Sequence, residues 1–153
     1  MAKPVARGRP YNGATAAAQK WATKLHAAVY RATGGGIGGR MVNSPVLLLI
    51  TTGRKSGKER ITPLLYLEDG EDFVIVASNG GTSGHPAWWL NLQAKPEANV
   101  EVGGEKVRVR TEETTGEEKR RLWDRVVEMY PTYEDYQRRT DREIPVILLK
   151  PVP

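Results

Sequence analysis

Positive charge is concentrated in one short stretch of the sequence, residues 53–60, which read GRKSGKER. Its four cations and two glycines lie between two apolar segments, as expected for a hairpin turn. Glycines let the backbone turn and direct N–H groups at an anion, and arginine binds phosphate or carboxylate through two oxygens. The spacing is one residue too short for a Walker A loop, and Glu59 stands where Ser or Thr would bind magnesium. The stretch therefore predicts a site for phosphate or carboxylate groups, with a solvated basic turn as the alternative.

Small polar residues and large aromatic rings follow further along the chain. Residues 78–81 read SNGG, and Trp88 and Trp89 stand on a predicted short helix with Asn91 about one turn beyond Trp88. Flat rings beside backbone polar groups suit a planar heterocycle, although paired tryptophans are also common in protein cores. The pattern indicates either a ring-binding site or a packed core.

Three tyrosines, Tyr130, Tyr133 and Tyr136, are spaced by three residues. On helical backbone this spacing places them on neighbouring positions, where their phenol groups can line one wall of a pocket as donors. A plain aromatic contact with the rest of the domain is the alternative.

Several chemistries are excluded by what the sequence lacks. There is no cysteine, so thiolate metal sites, disulfides and cysteine nucleophiles are absent. The two histidines, His26 and His85, have no cluster of acids around them in the sequence, and no nucleophile elbow surrounds Ser78 or Ser83. The GGGIGG of residues 34–39 follows a predicted helix and precedes a strand, the reverse of a dinucleotide-binding context. We therefore expect neither a metal site nor a serine triad.

The hydropathy pattern predicts the elements that position these residues. Consecutive hairpins without regular βαβ alternation favour an α+β, mainly β, fold, an antiparallel barrel with helices packed at its edges. Pro63 near the start of a strand marks an edge, and Thr115 with Glu118 forms a capping-box pattern. The predicted strands are 46–52, 61–67, 73–78, 99–102, 106–110 and 144–149, and the predicted helical segments are 14–33, 87–92, 115–130 and a short turn through 133–137.

The 153 residues are enough for one domain with one sizeable core. We divide it into a basic arm and amphipathic helix, residues 1–33, and a barrel, residues 34–153. The first 58 residues carry ten bases and no acid, which indicates an anionic partner. The predicted helix either docks on the barrel, lies on an anionic membrane or covers the site as a lid. No apolar run approaches the roughly 20 residues needed to span a bilayer, so we expect a cytoplasmic protein, with peripheral attachment to the inner face of the cell membrane as an option.

Three long segments resemble the deazaflavin-dependent nitroreductase family of actinobacteria, whose members use coenzyme F-420. They are PVLLLITTGRKSGKERITPLLYL, VASNGGTSGHPAWWLNLQAKPEANVEVGG and MYPTYEDYQRRTDREIPVILL, and the resemblance runs from about residue 38 to residue 151. It implies a split β-barrel in which the reduced deazaflavin passes a hydride to quinones, conjugated enones or nitroaromatic compounds. Such hydride transfer needs no nucleophile, which agrees with the missing catalytic cluster.

The resemblance also implies roles for individual residues. Ser78 and Tyr133 correspond to catalytic positions that polarise the acceptor or donate a proton. The substrate is expected to contact Leu65, Ser78, Tyr130, Tyr133 and Tyr136. The anionic tail and the ring of the cofactor are expected to contact Arg54, Lys55, Ser56, Gly57, Arg60, Ile61, Thr62, Pro63, Leu64, Leu65, Tyr66, Val76, Ala77, Ser78, Asn79, Ala87, Trp88 and Asn91.

Two residues depart from the family pattern. Asn79 stands where relatives often have Lys, which removes one cation from the tail site, and Leu65 stands where the nitroimidazole-reducing relative has Tyr. FMN is the alternative cofactor, as in related split-barrel oxidases. A non-enzymatic module that binds an anionic ligand or a membrane surface is the alternative function. We expect a monomer. We expect no nucleic-acid partner, since the basic hairpin lacks the exposed aromatics of single-strand binders.

Overall fold

The computed structural model describes residue 27, residues 40–41 and residues 44–153. A 3₁₀ turn covers Asn79–Gly81. The helices are α1 (Ala87–Ala94), α2 (Gly116–Met129) and α3 (Thr132–Arg139). The strands are β1 (Arg40–Met41), β2 (Ser44–Thr52), β3 (Glu59–Leu65), β4 (Leu67–Asp69), β5 (Asp72–Val76), β6 (Glu97–Val102), β7 (Glu105–Glu113) and β8 (Val146–Pro151).

The strands form one antiparallel sheet in the order β1-β2-β6-β7-β8-β5-β4, and β3 pairs with β2. Because β3 runs through Tyr66 directly into β4, the chain links the two ends of this order and the sheet curls into a split barrel. Within the described residues β3 pairs with β2 alone, so its other edge is open. Pro63 lies in this edge strand, which confirms the prediction from its missing N–H group.

The sheet is covered on both faces. The inner core contains Leu47, Leu49 and Ile147, and α1 covers it with Trp88 and Trp89. A second cluster on the other face joins β5 and β8 to α2 and α3. Successive residues of a strand point to opposite faces of the sheet, and residues on either face meet apolar neighbours. This explains why β2 and β8 are nearly continuous apolar runs.

The predicted helix 14–33 and the boundary at residues 33 and 34 lie outside the described residues, with one exception. Ala27 is helical and buried, and it packs against Leu48 of β2, with Ile61 of β3 at the edge of the contact. Among the described residues no helix is long and apolar enough to cross a membrane.

The structure corrects several predicted boundaries. The predicted strand 61–67 is two strands, because Tyr66 leaves the β3 ladder and its N–H donates to the carbonyl of Pro45 instead. The third predicted strand ends at Val76, before the 3₁₀ turn, and β7 continues to Glu113. The capping box is wrong: Thr115 makes no side-chain cap, because the chain enters α2 through Gly116 at φ 60°.

Candidate cofactor and substrate site

The basic stretch forms the hairpin turn between β2 and β3. The N–H of Gly53 donates to the carbonyl of Lys58 at 2.8 Å, and the N–H of Gly57 donates to the carbonyl of Gly53 at 2.8 Å. Gly57 has φ +70°, a conformation that side chains disfavour. Ser56 Oγ accepts from the N–H of Lys58 and from the Arg60 guanidinium. All the side chains from residue 54 to residue 60 are exposed, so the four cations face solvent.

Asn91 of α1 supports this hairpin through two hydrogen bonds. Its Oδ1 accepts from the N–H of Arg54 at 3.1 Å, and its Nδ2 donates to Oγ1 of Thr51 at 3.2 Å. Asn91 is buried, and both polar atoms of its side chain are used within the protein. Asn91 is thus a support for the hairpin, whereas the sequence predicted a direct contact with the ring.

One face of β3 connects the hairpin to the inner core. The register pairs three β3 residues with inward-facing residues of β2: Arg60 with Thr51, Thr62 with Leu49, and Leu64 with Leu47. Paired residues of neighbouring strands share a face, so this side of β3 changes from cationic at Arg60 to apolar at Leu64. Together with the open edge of β3, it forms a surface that suits a ligand with an anionic end and an apolar ring.

The other face of β3 belongs to the tyrosine side of the molecule. Leu65 packs with Val76 in the cluster that contains Tyr130, Tyr133 and Tyr136, while Ala77 points into the inner core. Strand alternation thus divides the predicted ring residues between the two faces of the sheet.

The turn that follows β5 is held firmly by hydrogen bonds. Asn79, Gly80 and Gly81 all have positive φ, and the Asn79 side chain donates to the carbonyl of Gly84 at 3.0 Å. The Ser78 side chain makes no cap to the turn. A Cβ on Gly81 would lie 2.6 Å from the carbonyl oxygen of Tyr136, so only glycine permits this approach of the turn to α3. The turn and the tyrosines therefore form one wall.

The three tyrosines pack edge to face. The Tyr130 and Tyr133 ring centroids are 4.9 Å apart, and those of Tyr130 and Tyr136 are 6.2 Å apart. The hydroxyls of Tyr130 and Tyr136 lie 3.3 Å apart and share a hydrogen bond. Tyr133 is buried against β5 and β8, whereas Tyr130 and Tyr136 are half-buried. This packing fits the alternative, a core-type aromatic contact, and the role of the tyrosines as a pocket wall stays a prediction.

Burial keeps these phenols protonated. Burial raises the pKa of Tyr133 well above its ordinary value, and the neighbouring phenols of Tyr130 and Tyr136 act in the same direction. Burial, followed by the hydrogen bond with Tyr130, raises the pKa of Tyr136 to about 12. Both side chains are therefore neutral hydrogen-bond donors throughout the physiological pH range.

One predicted contact, Trp88, has a structural role in the core, and one residue beside the turn after β5 was missed. Trp88, like Trp89, is buried in the inner core, which favours the core interpretation of both rings. Ala87 at the start of α1 is exposed. Arg142 is half-buried beside the turn after β5 and binds three of its carbonyl groups. Nothing in the sequence identified it, because backbone carbonyls have no sequence signature.

A separate polar pocket of about 490 Å³ lies at the base of the hairpin. Its lining includes Gly57, Glu59, Lys95, Glu97 and Arg108, and it contains neither the turn after β5 nor the tyrosines. Its charges are mixed, so it suits a polyanion less well than the exposed hairpin does. No group of acids and histidines that could hold a metal ion occurs in the part of the chain that is described.

Known proteins resemble this chain over most of its length. Residues 21–151 match the model of a family described as F420H(2)-dependent quinone reductase. An F420H(2)-dependent quinone reductase of Mycobacterium tuberculosis is 42% identical over 130 residues, which cover 82% of this chain and 87% of that protein.

Solved structures agree with the fold. A structure described as an F420-H2 dependent reductase has a TM-score of 0.64 at 41% identity and covers 69% of this chain and 94% of that one. Another, described as a domain-swapped dimer, has a TM-score of 0.67 at 36% identity and covers 85% of this chain and 97% of that one. The expected split barrel is confirmed, and the chain belongs to the F420H(2)-dependent quinone reductase family.

Proposed function

We propose that this protein is an oxidoreductase that uses reduced coenzyme F-420 to reduce quinones. The observation that carries this proposal is the face of β3 that runs from the exposed cations of the hairpin to the apolar end at Leu64. The cofactor has a matching polarity, with a planar deazaflavin at one end and a tail of phosphodiester and glutamate carboxylates at the other. Within the described residues, Arg54, Lys55, Lys58 and Arg60 have no carboxylate partner, so they remain available to such a tail.

The residues of the chain divide the work of binding. Arg54, Lys55 and Arg60 would hold the tail with charge-assisted hydrogen bonds, and Asn91 keeps the hairpin in place. The open edge of β3 and the turn at Ser78 would orient the ring. Pro63 leaves the edge without one N–H donor, so the ring can approach its backbone closely.

The bound deazaflavin supplies a hydride, and the chain supplies orientation and hydrogen bonds. Reduction of a quinone to a quinol adds one hydride and one proton, and negative charge develops on the quinone oxygens. The neutral phenol of Tyr133 and the hydroxyl of Ser78 are the proposed donors to these oxygens. Because burial keeps the pKa of Tyr133 high, this phenol acts as a hydrogen-bond donor and does not ionise at neutral pH.

The binding proposal is tested by removing the hairpin cations. We expect Arg54→Ala and Lys55→Ala each to weaken cofactor binding by about tenfold or more, with a larger effect at low salt. Titration of the purified protein with F-420 measures the dissociation constant. Arg120→Ala and Lys106→Ala are matched controls, since both side chains are exposed and lie outside the proposed site. Equal effects of the hairpin and control variants would show that the hairpin is only a solvated turn.

The reaction proposal is tested by isotopic substitution. Cofactor deuterated at its hydride-bearing ring carbon should be oxidised by a quinone severalfold more slowly in single turnovers, because that carbon–hydrogen bond breaks in the chemical step. Tyr133→Phe should lower turnover and leave the cofactor dissociation constant within about twofold of the wild-type value. An unchanged rate with deuterated cofactor in a chemically limited turnover argues against direct hydride transfer.

Other candidates have less support. The family description and the relatives' names point to F-420 and give no support to FMN or to a non-enzymatic module. Conjugated enones and nitroaromatic compounds remain proposed further acceptors, since they too are electrophiles that accept a hydride. The similarity to a domain-swapped dimer speaks against the expected monomer. Attachment to a membrane surface rests on the sequence of residues 1–33 alone.

A further inference from the structure

Arg142 makes an unusual set of contacts in the segment between α3 and β8. Its Nε donates to the carbonyl of Thr82 at 2.9 Å, its Nη1 donates to the carbonyl of Ala77 at 3.1 Å, and its Nη2 donates to the carbonyl of Ser78. The side chain is half-buried, and no carboxylate is among its partners. Several other described arginines, such as Arg121, bind carboxylates at the surface.

These contacts hold both ends of the turn after β5. Ala77 and Ser78 precede the turn and Thr82 follows it, while the three residues between them have positive φ. Two of these three residues are glycines, the residue type with the greatest backbone freedom. The rigid fork of guanidinium donors can hold three carbonyl groups at fixed relative positions, which a lysine ammonium cannot do.

His85 completes the arrangement. Its Nδ1 lies 3.3 Å from Nη1 of Arg142, and because a guanidinium only donates, Nδ1 is the acceptor and the proton is on Nε2. Burial lowers the pKa of His85, the charge of Arg142 lowers it further, and Glu113 acts in the opposite direction. The imidazole is therefore neutral at pH 7 and receives a hydrogen bond from the guanidinium.

The position of the turn affects the proposed site directly. Ser78 is a proposed donor to the acceptor, and Gly81 contacts the backbone of Tyr136. A shift of the turn would therefore move Ser78 relative to both the ring and the tyrosines. A displacement of about 1 Å at a reacting centre can reduce a rate by about a hundredfold.

We infer that Arg142 is a positioning residue for hydride transfer, which fixes the turn of residues 77–82 against the bound ring and the tyrosine cluster. This inference rests on the proposed function. The guanidinium of Arg142 is engaged with three carbonyl groups and with His85, so we expect its removal to affect the alignment of the reactants more than their affinity.

The first test compares kinetic and binding constants of full-length variants. Arg142→Lys and Arg142→Ala should lower kcat by between about tenfold and a hundredfold, while the F-420 dissociation constant changes by less than about threefold. Guanidinium at concentrations far below those that denature should partly restore kcat in Arg142→Ala. Arg125→Ala is the matched control, because that guanidinium also binds a backbone carbonyl, that of Glu68, but lies away from the site. It should retain kcat and show no rescue.

The second test needs neither cofactor nor activity. The chain has only two histidines, so His85 is readily assigned in a proton NMR titration by comparison with His85→Gln. Its pKa should rise in Arg142→Ala and stay unchanged in Arg125→Ala. An unchanged His85 titration in Arg142→Ala would show that the contact is not made in solution.

The possible outcomes separate the inference from the proposed function. A wild-type protein that does not oxidise reduced F-420 overturns the proposed function, even if the NMR titration behaves as expected. Active wild-type protein with unchanged kcat in Arg142→Ala overturns the positioning role. Parallel loss of stability, affinity and kcat without rescue also overturns it, because a purely structural role gives that result.

Discussion

Arginine side chains have three different roles in this chain, and their surroundings decide which. Arg54 is exposed, and among the described residues it has no carboxylate partner, so it could meet the proposed anionic ligand. Arg121 and Arg125 share the carboxylate of Asp69 at 2.9 to 3.0 Å, which ties α2 to β4 at the surface. Exposed pairs of this type contribute little to stability. Arg142 is half-buried and serves the backbone. The same residue type thus faces solvent, joins elements or fixes a turn, and ligand binding by Arg54 remains a proposal.

The tyrosines give a pH prediction at the scale of single residues. The pKa of Tyr136 is about 12 in the folded protein, against 10.0 for an ordinary tyrosine. Between these values the unfolded chain loses the proton and the folded chain keeps it, so the free energy of unfolding falls as pH rises above about 10. The stability associated with the neutral phenol is fully present below pH 10. We expect Tyr136→Phe to show a smaller fall, as measured by urea unfolding at pH 9 and pH 11.

The control for this prediction compares how steeply the free energy of unfolding falls with pH in wild type and in Tyr136→Phe. Lysines titrate in the same range and contribute equally to both proteins, so only the difference between wild type and Tyr136→Phe reports Tyr136. Tyr133 stays in the variant, and its raised pKa leaves part of the pH dependence in place. An identical fall in both proteins means that Tyr136 has an ordinary pKa.

At the scale of elements, hydropathy and turn residues predicted most of the fold. The apolar run of β2, the Gly103 and Gly104 turn between β6 and β7, and the amphipathic α2 lie where the sequence placed them, apart from a few terminal residues. These elements obey local rules, since their period and turn chemistry are written in neighbouring residues.

The misses share a physical cause. The break at Tyr66 depends on its bond to the carbonyl of Pro45, about twenty residues away, and Arg142 meets carbonyl groups more than sixty residues away. Asn91 likewise joins α1 to the hairpin across about forty residues. Such contacts depend on tertiary geometry, which no local pattern records. The basic hairpin was predictable because its cations are close together in sequence, and its role as an anion site remains a proposal.

The contact between the turn and α3 gives a prediction at this scale. A Cβ on Gly81 would meet the backbone of Tyr136 at 2.6 Å, and its φ is +74°. Gly81→Ala should therefore destabilise the protein by about 2 to 4 kcal/mol through strain and overpacking, and turnover should fall as α3 shifts. Urea unfolding and steady-state quinone reduction measure the two effects.

Gly80→Ala is a matched control on the neighbouring residue. Gly80 has φ +65°, but a Cβ there has no atom within 4 Å. Gly80→Ala should therefore lower the free energy of unfolding only by the cost of the left-handed backbone, about 1 kcal/mol. Equal destabilisation by the two substitutions would show that backbone strain, rather than the contact with Tyr136, makes Gly81 necessary.

At the scale of the whole molecule, charge is separated along the chain. The basic residues of the first 58 positions include three of the four hairpin cations, which face solvent at one end of β3. All the acidic residues come after position 58. Asp69 of β4, Glu112 of β7 and Glu143 before β8 form ion pairs with basic side chains. Within the part of the chain that the structure describes, the hairpin cations lack carboxylate partners, and this arrangement would favour the approach of the proposed polyanionic cofactor from one side.

Residues 1–33 add six further cations and no acid, which motivates a prediction about membranes. Quinones reside in the bilayer, so a basic segment that brings the barrel to an anionic surface would assist their reduction. Ala27 is buried against Leu48, so part of the segment contacts the barrel. Deletion of the segment would expose Leu48, so loss of membrane attachment could not be distinguished from loss of stability. Charge substitution in the full chain is therefore the cleaner test.

We expect the full-length protein to sediment with vesicles that contain anionic lipid and not with neutral vesicles. Replacement of Lys20, Lys24 and Arg31 by glutamine should abolish this binding, since each cation near an anionic surface contributes about 1 kcal/mol. The F-420 dissociation constant should stay unchanged, because the hairpin cations are intact. Lys106→Gln with Arg120→Gln is the control for charge lost elsewhere. Weaker cofactor binding without any vesicle binding would instead identify the segment as a lid over the ring site.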